Sequence, residues 1–372
     1  MERQMTLPTK KKPQIPSAAK VTLHTIAAHL GLAAGTVSAA LNDSPAARSI
    51  PQKTKDRIIA AALELNYKPN FFARTLRLKR TFTLGVIAAE IGDAYGALVI
   101  SGIEEYLKER NYFFLTVLHR HDQKQLRNYA QMLLPRGIEG FIAIDTSLES
   151  GLGLPTVVVA GHNKVEGVTN IVLDHNLAAR MALSHLQKLG HERIAFIKGQ
   201  AHSADSHVRW NAICQMAEEL GIQMRPELTI QLEGTDSTPA VGYPFAKQLL
   251  ARKQSFTALF AYNDISAIGS MWAIREAGLR VPEDISIVGF DDIPAAASAE
   301  PRLTTVRQPL VRLGRIAAQT MVDQLEGKAE YLPEIAVAPE FVVRESTGPV
   351  AGHAINRAPN VRVRSTEVRP AE

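Results

Sequence analysis

The stretch 22-TLHTIAAHLGLAAGTVSAALN-42 decides the fold of the N-terminal part of the chain. Apolar residues recur at helical spacing over Leu23–Leu30, and Thr22 is suited to cap that helix. Gly31 interrupts the pattern, and a second short helix is predicted over Ala34–Leu41. Two short helices joined through a glycine predict a helix-turn-helix, a unit whose second helix enters the major groove of DNA.

A third helix is predicted over Gln52–Leu65, because Pro51 stands at its start. Spacing alone also fits a generic three-helix bundle. Residues 1–80 carry 14 of the 42 Lys and Arg residues and 4 of the 37 Asp and Glu residues, a net charge of +10, while the rest of the chain carries −5. A basic head on a mildly acidic body predicts a polyanionic partner for the head. A solvated basic tail is the alternative.

From Thr83 onwards, short apolar strands alternate with amphipathic helices. This alternation predicts an α/β body of parallel, doubly wound sheets, and its length favours two lobes. The predicted strands are 84–88, 113–118, 140–144, 156–159, 193–197, 258–261 and 286–288. The predicted helices are 95–110, 123–134, 178–189, 208–220, 265–277 and 310–325.

Composition limits the cellular setting. Cys214 is the single cysteine, so an intramolecular disulfide is impossible and a reducing cytoplasm is expected. The basic N-terminus lacks the apolar segment of a secretory signal, and no apolar run of about 18 residues predicts a membrane span.

Residues 21–80 resemble the DNA-binding head of the LacI/GalR family of bacterial repressors. The resemblance rests on Val21-Thr22-Leu23, Ile26-Ala27, Gly31-Leu32, Thr36-Val37-Ser38, Ala40-Leu41-Asn42, Leu65-Asn66-Tyr67, Lys68-Pro69-Asn70 and Ala73-Arg74 with Leu76. It continues to about Gly348 through Gly190-His191, Tyr262-Asn263-Asp264, Val288-Gly289-Phe290-Asp291-Asp292 and Leu303-Thr304-Thr305. The resemblance implies a periplasmic-binding-protein-like body.

The family's DNA contacts can be carried over residue by residue. Where relatives read bases, this chain has Ala34, Gly35 and Ala39, which lack hydrogen-bonding side chains. Residues 45–51 form a longer loop than is usual, in which Arg48 could take over a contact. The resemblance implies that Leu76, on a hinge helix over residues 71–78, wedges into the minor groove. The full set of implied DNA-binding residues is Thr22, Ala34, Gly35, Thr36, Ser38, Ala39, Asn42, Arg48, Asn70, Ala73, Arg74 and Leu76.

In the body, the resemblance implies a small-molecule site between the lobes, at the carboxyl ends of strands. The implied effector-binding residues are Tyr95, His162, Arg209, Asn263 and Asp291. Arg209 could instead pair with Asp205 at the surface, and Trp272 could also line the cleft. For Asp264 and Asp292, capping or bracing of loops is the expected role.

Together these features predict five segments: a disordered basic arm (1–20), the helix-turn-helix domain (21–69), a hinge helix and linker (70–82), an effector-binding and dimerisation body (83–348) and a disordered tail (349–372). The resemblance implies a homodimeric repressor that binds a palindromic double-stranded operator under the control of a sugar-like effector. No metal site, cofactor or enzymatic activity is expected. A plain solute-binding protein and an enzyme on an α/β scaffold are the alternatives, but no P-loop, Gly-x-Ser-x-Gly or His-Glu-x-x-His motif occurs.

Overall fold

The computed structural model describes residues 21–42, 44–68, 75, 78–92, 94–234, 238–252 and 254–350. The chain divides into two compact units, Met1–Arg80 and Thr81–Glu372. The division falls inside the linker predicted over residues 70–82.

The described residues between 21 and 68 form three α-helices, α1 (Leu23–Leu30), α2 (Ala34–Leu41) and α3 (Gln52–Glu64). A 3₁₀ turn, Pro45–Ser49, follows α2. The helices enclose a small core centred on the fully buried side chains of Ile26, Val37 and Ile58. The predicted bounds of α1 and α2 are confirmed, and α3 ends one residue before its predicted end.

The second unit contains two lobes, each built on a six-stranded sheet. The sheet of lobe 1 contains β1 (Thr83–Ala88), β2 (Phe113–Leu118), β3 (Phe141–Ile144), β4 (Thr156–Val159), β5 (Val168–Leu173) and β11 (Glu334–Val337), in the order β11-β5-β4-β3-β1-β2. Every pairing in it is parallel. Helices α4 (Ala94–Glu109), α5 (Gln123–Leu133) and a C-terminal helix, α11 (Leu310–Leu325), pack on its faces.

The sheet of lobe 2 has the order β12-β10-β9-β8-β6-β7. Its strands are β6 (Ile194–Lys198), β7 (Thr229–Gln231), β8 (Ala258–Ala261), β9 (Ser286–Asp291), β10 (Thr304–Arg307) and β12 (Glu340–Val342). Its helices are α6 (His175–Lys188), α7 (Ala204–Glu219), α8 (Tyr243–Ala251), α9 (Asp264–Glu276) and the short α10 (Pro294–Ser298). Two apolar clusters cover the two faces of this sheet.

The chain passes between the lobes three times, after β5, after β10 and after β11. Three short crossovers allow the lobes to rotate about a common region, as hinge motion requires. The predicted architecture of doubly wound parallel sheets in two lobes is confirmed, and one edge strand, β12, pairs antiparallel with β10.

Several short elements escaped the sequence pattern. Strands β5, β7, β10, β11 and β12 and helices α8 and α10 were not predicted. Helices α6 and α7 begin three and four residues before their predicted starts, because their first turns are polar. Asp174 supports the early start of α6, since its carboxylate accepts a hydrogen bond from the Leu177 N–H at 2.9 Å.

The predicted basic arm, 1–20, lies outside the described residues, as does most of the predicted tail. The beginning of that tail is ordered: the Val350 N–H donates to the Leu189 carbonyl at 3.0 Å. Of the predicted hinge helix, only Thr75 and Leu78 are described, both in helical conformation. Among the described helices, none is both long and apolar enough to cross a membrane.

Candidate functional site

Helix α2 carries the expected reading face of the head. Gly35 is exposed, whereas Thr36 and Ser38 are half-buried. Asn42 ends the helix, and its side-chain amide donates to the Ser38 carbonyl at 2.7 Å. Ala34 is half-buried against the head core. Gly35 and Asn42 are therefore the most accessible of the residues that the resemblance placed on this helix.

Ala39, expected among the base-contacting residues, is buried in this structure, with only 8% of its surface exposed. The 3₁₀ turn folds back on α2 at this point, and the Ser44 N–H donates to the Ala39 carbonyl at 3.2 Å. Arg48 projects from the same turn as an exposed cation. The 3₁₀ turn thus packs against α2 near one expected reading position, and it carries the exposed cation Arg48.

Thr22 caps α1 through a reciprocal capping box. Its hydroxyl accepts from the Thr25 N–H at 3.3 Å, and the Thr22 N–H donates to the Thr25 hydroxyl at 3.2 Å. Such a pair satisfies two of the helix's otherwise unpaired N–H groups. The remaining expected DNA contacts, Asn70, Ala73, Arg74 and Leu76, lie outside the described residues.

A cleft between the two lobes brings together four of the five expected effector residues. It encloses about 600 Å³, part of which is open to solvent. Its lining comprises Glu90, Tyr95, His121, Asp145, Gln200, His202, Ser203, Asp205, Arg209, Val241, Tyr262, Asn263, Ile265 and Asp291. Most of these side chains are polar, and the cleft lies at the carboxyl ends of parallel strands, where ligands bind in open α/β folds.

Arg209 extends from α7 into the wall of this cleft and is almost fully buried. Its guanidinium donates to the Tyr262 carbonyl at 2.7 Å and to the Asp205 carboxylate at 2.9 Å, and it stacks 3.7 Å from the Phe290 ring centroid. Arg209 Nε is buried without a hydrogen-bond partner among the described residues. The expected Arg209–Asp205 pair exists, but it is buried rather than at the surface.

Tyr95 enters the cleft from the first turn of α4. Its hydroxyl is buried and has no hydrogen-bond partner among the described residues. Burial, reinforced by Asp205, Asp145 and Asp291, raises the pKa of Tyr95 well above its usual value. The hydroxyl therefore stays protonated at neutral pH and can both donate to and accept from a ligand.

Asp205 is the centre of a buried polar cluster. Its Oδ1 lies 2.7 Å from His162 Nε2 and 3.3 Å from His175 Nε2, and its Oδ2 accepts from Arg209. Burial by itself would raise the pKa of Asp205, but His175, His162 and Arg209 hold that pKa well below its usual range. Burial also lowers the pKa of His175. His162 does not line the cleft cavity but contacts the lining residue Asp205.

Two further pairs approach each other from opposite lobes. Asp145 follows β3 in lobe 1, and its carboxylate accepts from the Ala204 N–H at 2.9 Å and from the Ser203 hydroxyl at 3.2 Å. The ring centroids of His121 in lobe 1 and His202 in lobe 2 lie 4.1 Å apart. Burial, together with the neighbouring histidines, lowers the pKa of His121 to about 4.

Asn263 and Asp291 stand at the carboxyl ends of β8 and β9. The Asn263 side chain accepts from the Ser266 N–H at 2.9 Å and so caps α9. Asp291 accepts from the Gln308 side-chain amide at 2.7 Å. Both side chains line the cleft, and these hydrogen bonds to neighbouring residues fix their orientation.

The bracing role expected for Asp264 and Asp292 is confirmed. Asp264 accepts from the Thr305 hydroxyl at 2.5 Å and from the Ile293 N–H at 2.9 Å. Asp292 pairs with Arg307 at 2.7 Å and with Arg344 at 2.6 Å.

The alternative placement of Trp272 in the cleft is wrong. Its side chain is 43% exposed and lines a separate groove beside Leu279 and Pro301.

Several lining residues were not predicted from the sequence, chiefly Glu90, His121, Asp145 and His202. Each lies in the loop that follows the carboxyl end of a parallel strand. Ligands bind at that edge in open α/β sheets. Polar residues just after the predicted strands could therefore have been predicted to line the cleft.

A helix-turn-helix head joined to a two-lobed body with a polar cleft is the architecture of a class of DNA-binding transcription regulators. Residues 22–70 match the model of bacterial regulatory proteins of the lacI family, and residues 183–347 match that of a periplasmic binding protein-like domain. The chain belongs to the LacI family and is a DNA-binding transcriptional repressor.

The chain is similar to known repressors and to solved structures along most of its length. The HTH-type transcriptional repressor PurR of Haemophilus influenzae is 30% identical over 337 residues, covering 87% of this chain and 98% of the relative. The PurR repressor of Erwinia tasmaniensis is 32% identical over 335 residues, covering 87% and 96%. The crystal structure of the lac repressor dimer bound to operator and the anti-inducer ONPF has a TM-score of 0.77 at 25% identity, covering 88% of this chain and 99% of that one.

Proposed function

We propose that the protein acts in the cytoplasm as a homodimer on a palindromic operator, and that a small polar effector bound between the lobes controls its DNA affinity. The observation that carries the effector proposal is the pair of buried, unpartnered groups in the cleft, Tyr95 Oη and Arg209 Nε. A buried polar group without a partner costs about 1–3 kcal/mol. A ligand that hydrogen-bonds both groups would recover that cost.

The charge of the cleft favours a neutral ligand rich in hydroxyl groups. Four carboxylates, those of Glu90, Asp145, Asp205 and Asp291, line it against the single guanidinium of Arg209. An anionic ligand would meet an excess of like charge, whereas hydroxyl groups can donate to carboxylates. A sugar or a related polar metabolite fits this set.

Control of DNA binding would follow from lobe closure. The contacts Asp145–Ala204 and His162–Asp205 span the two lobes, so they can form only when the cleft is closed. An effector that prefers one degree of closure shifts the population toward it. We propose that this rotation changes the pairing of the two hinge segments of the dimer, which would bind in the minor groove of the operator.

The head is proposed to read its operator with few direct hydrogen bonds to bases. Ala34 and Gly35 offer none, so Asn42, Arg48 and the hinge residue Leu76 would carry more of the recognition. An apolar wedge in the minor groove reads the deformability of a base step rather than its hydrogen-bonding edge. We therefore expect operator specificity to depend strongly on the central, flexible steps of the palindrome.

The test is the binding of the full chain to palindromes from its own promoter region, at physiological salt, with and without a panel of neutral sugars. We expect one palindrome to bind at least about tenfold more tightly than random DNA, and one sugar to change that affinity at least about fivefold.

Tyr95→Phe removes only the unpartnered hydroxyl and should weaken the response to the sugar, whereas Tyr331→Phe, outside the cleft, should not. Equal binding to random and palindromic DNA would overturn the operator proposal. A palindrome whose binding no sugar alters would overturn the proposed effector class.

A further inference from the structure

Three potential metal ligands meet at the wall of the cleft. The Nε2 atoms of His162 and His175 and a carboxylate oxygen of Asp205 all lie within 4.8 Å of one another. Spacing in the sequence did not reveal this set, because its members come from one loop and two helices that only the fold brings together. We propose that His162, His175 and Asp205 bind a divalent transition-metal ion such as Zn²⁺, which ties the two lobes together.

The type and spacing of the ligands suit such an ion. Two imidazoles and one carboxylate favour Zn²⁺ and its neighbours over Ca²⁺ or Mg²⁺, which prefer oxygen ligands. Tetrahedral zinc with bonds of about 2.0–2.1 Å keeps its ligand atoms about 3.3 Å apart. Asp205 Oδ1 already lies 2.7 Å and 3.3 Å from the two nitrogens, so a small adjustment of the lobes would complete the site.

Arg209 prepares the carboxylate for this role. Its Nη2 holds Asp205 Oδ2 at 2.9 Å, which leaves Oδ1 directed at the two histidines. A hydrogen bond of this kind to a ligating carboxylate fixes its orientation. Other carboxylates of the cleft, Asp145 and Asp291 among them, balance the positive charge of Arg209. The negative charge of Asp205 therefore remains available to a divalent ion.

The cluster also has a route to solvent. His162 and His175 line a groove of about 800 Å³ on the outer side, which includes open solvent and is separate from the cleft lining. The His162 side chain is 17% exposed. A hydrated ion could therefore enter from the groove, and a fourth coordination position would remain for water, as in a zinc site with three protein ligands.

The ion would link the lobes because its ligands come from both. His162 lies in the loop after β4 of lobe 1, and Asp205 and His175 lie on α7 and α6 of lobe 2. A metal bound to all three would favour the closed cleft and would act as a second ligand alongside the proposed effector. Metal binding itself does not depend on the operator or effector proposals and can be measured without DNA.

The experiment titrates Co²⁺ and Zn²⁺, each alone, into the full chain after treatment with a chelator. Binding is followed by calorimetry and by the visible absorption of tetrahedral Co²⁺. We expect the wild type to bind one ion in a tetrahedral site with Kd below about 10 µM. His162→Gln should weaken this binding at least about tenfold, a loss typical of a damaged metal site.

His207→Gln is the matched control, since His207 is an exposed histidine on the same helix as Asp205 and lies outside both the cluster and the cleft lining; this variant should bind the ion as the wild type does. Asp205→Asn provides a second variant of the cluster, and far-ultraviolet circular dichroism checks that each variant is folded. Absence of a tetrahedral Co²⁺ spectrum in the wild type would overturn the proposal. So would a His162→Gln variant that binds as tightly as the wild type.

Discussion

The Asp145 carboxylate accepts a hydrogen bond from the Ala204 N–H at 2.9 Å, although the two residues belong to different lobes. Ala204 is the first residue of α7, and the residue before it, Ser203, makes no side-chain capping bond of its own. The helix that carries Asp205 and Arg209 is therefore capped by the opposite lobe. Closure of the cleft and order at the start of α7 are coupled through this contact.

Substitution of Asp145 should loosen the first turn of α7. Asp145→Ala removes a helix cap that is worth about 1 kcal/mol, so amide exchange over residues 204–208 should accelerate about fivefold. Asp145→Asn retains a capping oxygen and should exchange nearly as the wild type does. Hydrogen-exchange mass spectrometry on the full chain measures both. An unchanged rate in Asp145→Ala would mean that the cap does not hold the helix.

Two glycines of the head should respond to alanine in opposite directions. A Cβ at either Gly31 or Gly35 meets no heavy atom within 4 Å, but Gly31 has a φ of +65°. Gly35→Ala should stabilise the head by about 0.5–1 kcal/mol, because alanine is the better helix former. Gly31→Ala should destabilise it by about 1 kcal/mol, because the left-handed backbone strains a side chain.

Exchange protection of peptides within 22–66 in the full chain reports both effects. Lower exchange protection in Gly35→Ala than in the wild type would show that the low helix propensity of glycine at this position does not limit the stability of α2. Operator affinity, measured in parallel, then tells whether the added methyl also meets DNA.

The head could be predicted closely because its signals are local. Thr22, Gly31 and the apolar spacing of α1 and α2 mark helix ends within a few residues of the chain. The burial of Ala39 could not be read in this way. It depends on how the 3₁₀ turn folds back on α2, and a sequence pattern does not specify the path of a loop.

The cleft could be predicted only in outline. Tyr95, Arg209, Asn263 and Asp291 were expected there, but their partners were not. Asp145 meets Ala204 across 59 positions of sequence, and the strand order of two sheets brings them together. Strand β5 was missed because Thr169 and Asn170 interrupt its apolar run, although both are buried.

His119 should make the stability of the protein fall in mild acid. It is 1% exposed, its Nε2 lies 3.0 Å from the Thr146 hydroxyl, and its Nδ1 has no hydrogen-bond partner among the described residues. Burial lowers the pKa of His119 from 6.5 to about 4, and Asp122 opposes this only in part. Between those values the unfolded chain binds one more proton at this site than the folded chain does. The free energy of unfolding should therefore lose up to about 1.4 kcal/mol per pH unit as the pH falls.

Urea unfolding of the wild type and of His119→Gln between pH 8 and pH 4 tests this. Glutamine can still donate to Thr146 but does not titrate in this range. The difference between the two proteins should be constant above about pH 7.5 and should shift in favour of the variant as the pH falls below about 6.5. Parallel curves over the whole range would show that His119 is not held neutral.

Helices α4 and α11 cross so closely that their glycines should not tolerate even a methyl group. A Cβ on Gly314 would lie 2.0 Å from the Val99 carbonyl oxygen, and one on Gly102 would lie 1.9 Å from that of Val311. Since both obstacles are backbone atoms, the helices must separate to accept Gly314→Ala, which should destabilise the protein by about 1–3 kcal/mol. Gly151→Ala is the control, because a Cβ there meets nothing within 4 Å. Thermal unfolding should show a lowered midpoint for the first variant and an unchanged one for the second, whereas equal midpoints would mean that the helix pair can move apart at little cost.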